Sequence, residues 1–509
     1  MTIKHSALNT LSLFYIYLPI LIFLFGWCTW YIAIPCATIL LGVLYVMLRA
    51  YNSEGKNIQI SKTTFIVAVV LLLIMAYYLG WGRFTNQCGD ANRNNGILND
   101  MVYRSWPIIY SDHHGGYCML TYYFLQFLVA GIVGKMFFSY RLAELVFAVW
   151  SLLGVTLVYF NLIRSLNVYS TVKRLFVLWV LFFFMLPLTI GRPVIEALST
   201  HAFFYEGTGE TLWVSETLQL PLHGNWMRMF YDYQQAITPW LITILLIEFH
   251  KYVRFYVPLI LPALMYGAFP FVALLPYAAI LAVMNYCHSV DKKQFYRDMF
   301  SVPNVAVSLS IGIVFVTYLW GNVSGVKPDI VSARMVSYQG HYTILLLYHL
   351  LVTLPFPLLV FKEHKKNALY YLTVLFLLLI PFVKIGVFND QRKFTTIVHF
   401  FLMYFLLQYL LTYRWGELKT SNIKCFFTFL LLFVSFMIPF QNLRKQIQTD
   451  EIGSLAEDKG CGTLENWSNR ADSTIRIDLR YNYFTYDVES SVFYKYMARP
   501  SKYDIMNLN

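Results

Sequence analysis

Residues 11–28 read LSLFYIYLPILIFLFGWC, a run without a single charged side chain. Because a helix rises about 1.5 Å per residue, roughly 20 such residues cross the 30 Å hydrocarbon layer of a bilayer. Similar runs recur along most of the 509-residue chain, which is 58% hydrophobic and 13% charged, with a mean hydropathy of +0.54. Soluble domains are about a quarter charged. The sequence therefore predicts an all-α polytopic membrane protein, since these runs are too long and continuous for barrel strands.

Eleven of these apolar runs predict transmembrane helices, at residues 11–28, 31–48, 64–81, 139–163, 174–190, 236–250, 304–320, 341–361, 369–386, 395–413 and 423–439. The apolar stretch 257–286 is interrupted by Gly267 and Pro270, which predicts two short helices forming a hairpin. Together these give about 13 crossings. The first run leads directly into the second without a small-residue cleavage site, so no cleavable signal peptide is expected.

Positive charge predicts the orientation, because short loops rich in Lys and Arg stay in the cytoplasm. Six basic clusters fall on one side of the thirteen-span arrangement: Arg49, Lys56 and Lys62; Arg164, Lys173 and Arg174; Lys251 and Arg254; Lys292, Lys293 and Arg297; Lys362, Lys365 and Lys366; and Arg414, Lys419 and Lys424. This topology accounts for most of the net charge of +12 without a nucleic acid partner. We therefore expect a cytoplasmic N-terminus and an extracytoplasmic C-terminus.

The opposite side receives the long polar segments 82–138, 191–235 and 321–340, the short turn 387–394 and the tail 440–509, which hold most of the carboxylates. Residues 118–137 are apolar enough to span, but a crossing here would turn the basic loop 164–174 outward. They are therefore predicted to form a helix along the outer membrane surface. The chain thus divides into a transmembrane part, 1–439, and a small α+β tail, 440–509. The alternating pattern of residues 476–486 predicts one or two strands in that tail, packed on the outer loops.

Three of the seven cysteines, Cys88, Cys118 and Cys461, lie in the predicted outer segments, where the compartment is oxidising. A Cys88–Cys118 disulfide would bracket the polar loop between them, although the third cysteine leaves the pairing open. No cysteine spacing resembles a zinc site, and nothing in the sequence requires a metal, although a divalent ion stays compatible with the acidic loops.

The polar stretch from Gly89 to Asp100, GDANRNNGILND, follows the third apolar run and carries the first candidate chemistry. In a glycosyl transfer from a lipid phosphate, a carboxylate must take the proton of the attacking hydroxyl. The leaving phosphate needs Arg, Lys or a metal ion. The candidates for the first role are Asp90 and Asp100, those for the second are Arg93 and Arg104, and Trp106 could stack on a sugar face. Alternatively, Asp90 caps a short surface helix and Asp100 pairs with Arg104 at i, i+4.

Three further outer segments carry candidate binding residues. Segment 191–235 is rich in carboxylates and ends in Tyr233-Gln234-Gln235, which suits acceptor binding or, equally, a solvated loop. Arg334 lies just outside a predicted span, where a lipid phosphate or plain solvent could meet it. The turn Asn389-Asp390-Gln391-Arg392-Lys393 places two cations where the positive-inside rule disfavours them. An anionic partner explains this exception, and a surface salt cluster is the alternative.

With these residues in view, the chain resembles the GT-C fold glycosyltransferases of the bacterial type that use polyprenyl-phosphate sugars. Four stretches carry the resemblance: Gly89-Asp90-x-x-Arg93-x-Asn95-x-Ile97-Leu98-x-Asp100 with Trp106-Pro107; Leu120-Thr-Tyr122-Tyr123 with Gly134-Lys135 and Arg141; Tyr233-Gln234-Gln235-Ala236 with Trp240-Leu241; and Asn389-Asp390. Two positions depart from the family pattern, since Gln235 stands where it has His and Tyr233 where it has Pro. In the last stretch the Arg is displaced to Arg392 and no Pro follows Ile397.

The resemblance implies an inverting transfer of a sugar from a polyprenyl-phosphate donor to a glycolipid, glycan or protein acceptor at the outer face of a bacterial inner membrane. It implies that Asp90 is the general base and that Asp100 orients it or the acceptor. Arg334, Arg392 or Lys393 would hold the donor phosphate, and the tail would shape the acceptor site.

Three other functions remain open from the sequence. A transporter or lipid-linked-sugar flippase would need charged groups inside its spans, and the few candidates, Glu144 and Glu248, can sit at membrane edges. A polysaccharide polymerase or ligase usually relies on an arginine-rich outer loop, whereas segment 191–235 holds only Arg192 and Arg228. A non-catalytic membrane scaffold would tolerate the loss of Asp90.

Overall fold

The computed structural model describes most of the chain up to residue 413 and short pieces beyond it. The described residues are 2–53, 55–85, 91–111, 117–168, 172–184, 212–215, 218–220, 224–324, 333–335, 350, 354–380, 383–385, 391–413, 426–433, 435–436, 440, 443–444, 463–464, 483–485 and 488–500.

The described chain is mainly helical. Its α-helices are α1 (His5–Trp27), α2 (Trp30–Ser53), α3 (Lys62–Tyr78), α4 (Ala91–Tyr103), α5 (Leu125–Met136), α6 (Tyr140–Leu166), α7 (Val172–Phe184), α8 (Asn225–Tyr231), α9 (Ile237–Glu248), α10 (Tyr256–Ile260), α11 (Pro262–Tyr266), α12 (Ala268–His288), α13 (Lys292–Met299), α14 (Val302–Val307), α15 (Ile313–Ser324), α16 (Pro355–His364), α17 (Ala368–Leu379), α18 (Gln391–Gln408) and α19 (Val492–Tyr496). The 3-10 turns Tyr233–Gln235 and Val253–Phe255 precede α9 and α10. The π-helical turn Ser308–Gly312 joins α14 to α15, and Tyr409–Tyr413 continues α18.

In the part of the chain that the structure describes, nine short strands form four small antiparallel sheets. They are β1 (Thr2–Ile3), β2 (Ile58–Gln59), β3 (Ile109–Ser111), β4 (Tyr117–Leu120), β5 (Leu212–Ser215), β6 (Leu218–Leu220), β7 (Ala333–Met335), β8 (Val383–Ile385) and β9 (Phe484–Thr485). β1 pairs with β2, β5 with β6 and β7 with β8, while β4 lies between β3 and β9. Each sheet is too small to be stable alone, so the helices carry the architecture.

Within the described residues, six helical stretches are long and apolar enough to cross a membrane: α1, α2, α6, α12, the segment Lys292–Asn322 and the segment Lys393–Leu411. Shorter apolar helices are Lys62–Tyr78, Leu125–Met136, Val253–Tyr266 and Ala368–Leu379. These lengths support an all-α membrane protein, whereas 13 crossings stay a prediction. Four predicted spans are only partly described. They are 174–190, described to residue 184; 341–361, at residue 350 and from 354; 369–386, at 369–380 and 383–385; and 423–439, at 426–433 and 435–436.

The stretch 257–286 does form a hairpin, but not of two short helices. Its first arm is broken into the turn Val253–Phe255 and the helices α10 and α11, whereas its second arm is the single 21-residue helix α12. The chain reverses at Gly267, and Asn285 near the end of α12 donates to the carbonyl oxygen of His250 at 2.7 Å. Pro270 lies in the first turn of α12, where a missing N–H costs little, so it does not break the helix.

The prediction of one helix over residues 118–137 is wrong in its first part. Residues Tyr117–Leu120 form β4, and the helix begins only at Leu125. Strand β4 is held from both sides, by β3 and by the distant β9. Such pairing overrides the apolar helical pattern of the sequence. At 12 residues, α5 is too short to span a bilayer, as expected, and its Leu125, Phe127 and Leu128 are buried against the protein.

Described parts of the predicted basic clusters contact one another at one end of the helices, whereas Arg414, Lys419 and Lys424 lie outside the described residues. The ring of Tyr51 stacks on that of Phe249 with 3.9 Å between centroids, which joins the end of α2 to the end of α9. Ser165, at the end of α6, shares a 2.8 Å hydrogen bond with Tyr404 of α18. The Ser301 hydroxyl donates to the carbonyl oxygen of Arg254 at 3.0 Å.

Arg164 differs from the other members of its cluster, Lys173 and Arg174, because it alone is buried. It lies in the last turn of α6 and is 4% exposed. Its guanidinium donates to Asn9 at 2.6 Å and to Asn161 at 2.8 Å, and its Nε lies 3.7 Å from Glu248. Arg164 therefore ties α1, α6 and α9 together, since breaking a buried pair of this kind leaves a charge uncompensated.

The opposite end of the helices gathers the segments that the sequence predicts to be outer loops. Tyr318 of α15 donates to the carbonyl oxygen of Leu120 at 3.1 Å, and Asn322 donates to that of Thr121 at 2.9 Å. The Thr121 amide in turn donates to the carbonyl oxygen of Tyr483 in the tail at 2.8 Å. Segments that are hundreds of residues apart in sequence therefore converge around α4 and β4.

Candidate functional site

Helix α4 forms the centre of this end and lies within the predicted outer segment 82–138. Its apolar side chains Ile97, Leu98, Met101 and Val102 recur at helical spacing and are buried. They pack on α5, where glycines permit a close approach. A Cβ on Gly131 would lie 2.9 Å from the Cβ of Met101, so the two backbones could not approach as closely with any larger residue. Part of the polar motif is thus fixed on a rigid, buried helix.

Asp100 is buried on α4 and is satisfied on both carboxylate oxygens. Arg104 Nε donates to Oδ1 at 3.1 Å, while the Tyr110 hydroxyl and the backbone amide of Leu464 each donate to Oδ2 at 2.8 Å. The i, i+4 pairing with Arg104, the alternative reading of the sequence, is therefore present. Burial raises the pKa of the Asp100 carboxyl to about 6, although Arg104 and the two hydrogen-bond donors favour its charged form. This arrangement fixes the tail to α4.

Arg93 is buried against the tail rather than open to solvent. Its Nη1 donates to the Tyr483 hydroxyl at 2.9 Å, and its Nε and Nη2 donate to Asn94 Oδ1 at 3.2 and 3.1 Å. The guanidinium lies 5.4 Å from the ring centroid of Tyr483 and 5.8 Å from that of Tyr122. Cation–π contacts of this kind strengthen when water is excluded. Tail and outer loop thus both contribute to the surroundings of Arg93.

Arg104 and Trp106 lie next to Asp100 and both have protein partners. The Arg104 guanidinium also lies 4.7 Å from the ring centroid of Tyr110. The Trp106 indole packs against Trp27 with 4.8 Å between ring centroids, its Nε1 donates to the carbonyl oxygen of Met101, and the Lys135 ammonium lies 5.6 Å from its ring. Through these contacts, the half-buried Trp106 joins α1 to the outer segment.

A small cavity joins the two motifs that the sequence places in different loops, and we call it the inner cavity. Its volume is about 20 Å³, enough for roughly one water molecule. Its lining includes Asn94 and Asn95 from α4, Tyr233 from the turn before α9, and Arg83 and Glu144. The Nδ2 of Asn94 has no hydrogen-bond partner and is buried. The cavity lies between Arg83 and Ala91, the two sides of the segment that contains Asp90.

The two glutamines after Tyr233 are buried in the turn that precedes α9. Gln234 Nε2 donates to the Tyr122 hydroxyl at 3.4 Å, and both side-chain polar atoms of Gln235 lack a hydrogen-bond partner. Gln235 packs against Gly267 at the tip of the hairpin, 3.0 Å from where a Cβ would be. The predicted acceptor-side residues thus lie beside α4, with Tyr122 between Gln234 and Arg93.

An open apolar groove of about 250 Å³ reaches Tyr122 from the outside of the bundle. Tyr122 and Tyr123 form one wall, Leu319 and Trp320 of α15 form another, and Leu264 and Ala268 lie at the hairpin tip. The Trp320 side chain is 62% exposed, as suits a side chain at the rim of a groove in a membrane protein. The groove therefore connects the surface of the bundle to the surroundings of Arg93.

The other predicted donor-side residues are Arg334, in segment 321–340, and Arg392 and Lys393, at the start of α18. Arg334 lies in β7 and is paired in register with Lys384 of β8. Arg392 and Lys393 begin α18, and the Lys393 ammonium lies 6.0 Å from the ring centroid of Phe269. Arg228 of α8 donates to the hydroxyls of Thr395 and Thr396. Strand pairing thus joins segment 321–340 to residue 385, and Arg228 joins segment 191–235 to the start of α18.

Several predicted site residues lie outside the described residues. They are Asp90, Asn389 and Asp390, together with Cys88 and Cys461 of the predicted disulfide set. The backbone of Arg334 and of Arg392 is described, whereas their side chains are not. Among the described residues, no group of three or more His, Cys, Asp or Glu side chains is arranged to hold a metal ion.

Four residues of this end had no role in the sequence-based site: Arg83, Glu144, Arg228 and Tyr483. Each makes a contact with a residue far away in sequence, such as the 390 positions that separate Arg93 from Tyr483. One signal was present, since Glu144 is a rare acid near the start of an apolar run and such residues are seldom without a function.

Comparison of the chain with protein-family models, with curated proteins and with solved structures finds no match in any of the three. The resemblance to GT-C glycosyltransferases therefore stays a prediction. The chemistry of this end of the molecule is argued below from its own residues.

Proposed function

We propose that this protein is an integral-membrane glycosyltransferase that transfers a sugar from a polyprenyl-phosphate donor to an acceptor hydroxyl. Asp90 takes the proton of the acceptor hydroxyl, whose oxygen forms the new bond to the anomeric carbon. The bond from that carbon to the phosphate oxygen breaks, and the polyprenyl phosphate leaves with the electron pair. Attack opposite to the leaving group inverts the anomeric centre.

The observation that carries this proposal is the meeting of two separately predicted motifs at one cavity. Asn94 and Asn95 from the first motif and Tyr233 from the third line the inner cavity. Arg83 and Ala91 also line this cavity, and Asp90 directly precedes Ala91, the first residue of α4, in the sequence. Asp90 itself lies outside the described residues, so its action at this cavity is part of the proposal.

Two further observations support a donor that arrives through the membrane. The apolar groove opens at the outside of the bundle and ends at Tyr122, whose ring lies 5.8 Å from the Arg93 guanidinium. A chain of isoprene units suits such a groove, and a guanidinium suits the phosphate at its end. Arg334, Arg392 and Lys393 remain candidates for the same phosphate.

The position of the buried charges favours an enzyme over a transporter or flippase. Glu144 lies in the second turn of α6, Arg164 lies in its last turn, and Glu248 is the last residue of α9. A transporter concentrates such groups near the middle of its spans. Here the buried Glu144 and Arg164 and the half-buried Glu248 all lie near helix ends.

The test is sugar transfer by the purified protein from a panel of short-chain polyprenyl-phosphate sugars to a native membrane lipid extract. Asp90→Asn is compared with wild type and with Asp291→Asn, which removes the exposed N-cap of α13 at the other end of the molecule. We expect Asp90→Asn to lose about a thousandfold in kcat, the scale of a lost general base, and Asp291→Asn to keep its activity.

Two outcomes would change the proposal. Transfer that survives Asp90→Asn would move the role of base to Asp100 or Asp390. No turnover of any donor by wild type would overturn the enzyme and favour the transporter.

A further inference from the structure

The turn that leads into residues 86–90 has an uncommon backbone. Gly80, Gly82 and Arg83 have φ angles of +72°, +81° and +53°. Glycine adopts such angles freely, whereas an arginine does so only where its surroundings hold it there. The Arg83 amide donates to the carbonyl oxygen of Gly80 at 3.1 Å, and the Thr85 hydroxyl donates to that of Tyr77 at 2.9 Å.

The Glu144 carboxylate of α6 stabilises this turn by pairing with two arginines. Glu144 is 4% exposed, and its two carboxylate oxygens face two different arginines. Oε1 lies 3.1 Å from Arg83 Nη1, and Oε2 lies 2.9 Å from Arg141 Nη1. Arg141 Nη1 also donates to the carbonyl oxygen of Gly82 at 2.6 Å. The turn is therefore fixed to α6 through a side chain at Arg83 and through the backbone at Gly82.

Helix α6 is well placed to act as the support. Its N-cap, Ser139, accepts from the Leu142 amide at 3.2 Å, and an acid in the first turns of a helix is favoured by the helix dipole. Gly134 brings α6 against α5, since a Cβ there would lie 2.6 Å from the Cβ of Ala143. Helices α4, α5 and α6 therefore form one packed unit, and Glu144 extends from it to the turn.

We propose that Glu144 is a positioning residue for the turn Gly80–Thr85, which precedes the segment carrying Asp90 in the sequence. By pairing with Arg83 and Arg141, it holds this turn against α6. The carboxylate also lines the inner cavity beside Asn94 and Asn95. The inference rests on the proposed function for its effect on catalysis, but not for its effect on the turn itself.

The matched pair for a test is Glu144→Gln and Glu248→Gln. Both acids pair with a partly or fully buried arginine at an end of α6, but Glu248 lies at the opposite end, against Arg164. Deuterium exchange of the backbone amides of residues 80–85, in the full chain in detergent, reports on the turn without any substrate. We expect Glu144→Gln to raise this exchange about tenfold or more, and Glu248→Gln to leave it unchanged.

Steady-state kinetics then separates positioning from mere loss of folded protein. We expect Glu144→Gln to lower kcat by about tenfold to a hundredfold with KM within about twofold, as a misplaced base would. Glu144→Asp should recover part of the loss. If Glu144 acts through Arg83, the double variant Glu144→Gln, Arg83→Gln should be no slower than the slower of the two single variants.

The outcomes also separate this inference from the proposed function. Unchanged exchange of residues 80–85 in Glu144→Gln would overturn the positioning role, as would an equal loss of kcat in Glu248→Gln. Absence of transfer by wild type would overturn the proposed function, while raised exchange would still establish the clamp on the turn. Should Glu144→Gln not fold, Arg141→Gln removes one arm alone and leaves the carboxylate paired with Arg83.

Discussion

The surroundings of the Asp100 carboxyl have opposing effects on its pKa. Burial raises its pKa to about 6 from an ordinary value near 3.8, while Arg104, the Leu464 amide and the Tyr110 hydroxyl favour the charged form. Because burial outweighs these partners, the folded protein binds a proton at Asp100 more tightly than the unfolded chain does. This stabilisation is fully present below about pH 4 and is lost as the pH rises through about 6.

We therefore predict that wild type loses stability relative to Asp100→Asn when the pH rises from 4 to 7. A difference of about two pKa units corresponds to roughly 3 kcal/mol, and the change should end above about pH 7. The measurement is the thermal unfolding midpoint of both proteins in detergent, side by side across this pH range. If the unfolding midpoint of wild type instead rose relative to that of Asp100→Asn as the pH increases, Arg104 and the hydrogen bonds would outweigh burial.

The contacts of Asp100 show which interactions of a residue can be predicted from the sequence. The i, i+4 spacing of Asp100 and Arg104 predicted their contact, because helical neighbours meet whatever the fold. The amide of Leu464, 364 positions away, could not be predicted, since no local pattern encodes a contact at that distance. The residue is thus identified by sequence, whereas its attachment to the tail is visible only in the structure.

Among the elements, the tail strand β9 depends on one glycine of helix α15. A Cβ on Gly321 would lie 2.8 Å from the Thr485 hydroxyl oxygen and 3.1 Å from that of Ser491. Thr485 also shares a 2.6 Å hydrogen bond with Thr121, next to β4. Gly321 therefore permits the close approach that lets the tail complete the sheet β3-β4-β9.

We predict that Gly321→Ala loosens β9 and costs about 1–3 kcal/mol, because overpacking at a tight contact forces backbone shifts. Deuterium exchange of residues 117–121 and 483–485 should rise. Gly42→Ala is the matched control, since it is also a helical glycine but has nothing within 4 Å of the added Cβ. That variant should be neutral or more stable by up to about 1 kcal/mol. Equal behaviour of the two variants would contradict the role of Gly321.

The sequence predicts some helices and strands better than others. It predicts best those that depend on neighbouring residues and not on distant partners. The boundaries of α6 follow from its apolar run and fall within three residues of the prediction, whereas α1 begins at His5, six residues before its predicted start. Strand β4 was missed because its partner β9 lies more than 360 residues later in the chain. The unbroken length of α12 was missed because Pro270 suggests an interruption, whereas its position in the first turn removes that penalty.

For the whole molecule, the two ends of the helices gather different parts of the chain. One end gathers basic segments through contacts such as Ser165 with Tyr404, and the other gathers α4, β4 and the tail. The sequence predicted both groups from the positive-inside rule, because insertion acts on loop charge before tertiary contacts form. It could not predict how the second group is arranged, since Glu144 with Arg83 and Arg93 with Tyr483 are long-range pairs.

The orientation leads to a prediction that does not depend on enzymatic activity. Ser105, beside α4, and Lys293, in α13, are both exposed and lie at opposite ends of the molecule. In a background with the seven native cysteines replaced, Ser105→Cys should react with a membrane-impermeant thiol reagent on intact cells. Lys293→Cys should react only after permeabilisation, because the positive-inside rule predicts that the basic end lies in the cytoplasm. The inverse labelling would place α4 in the cytoplasm, where a polyprenyl-phosphate sugar presented at the outer face could not reach it.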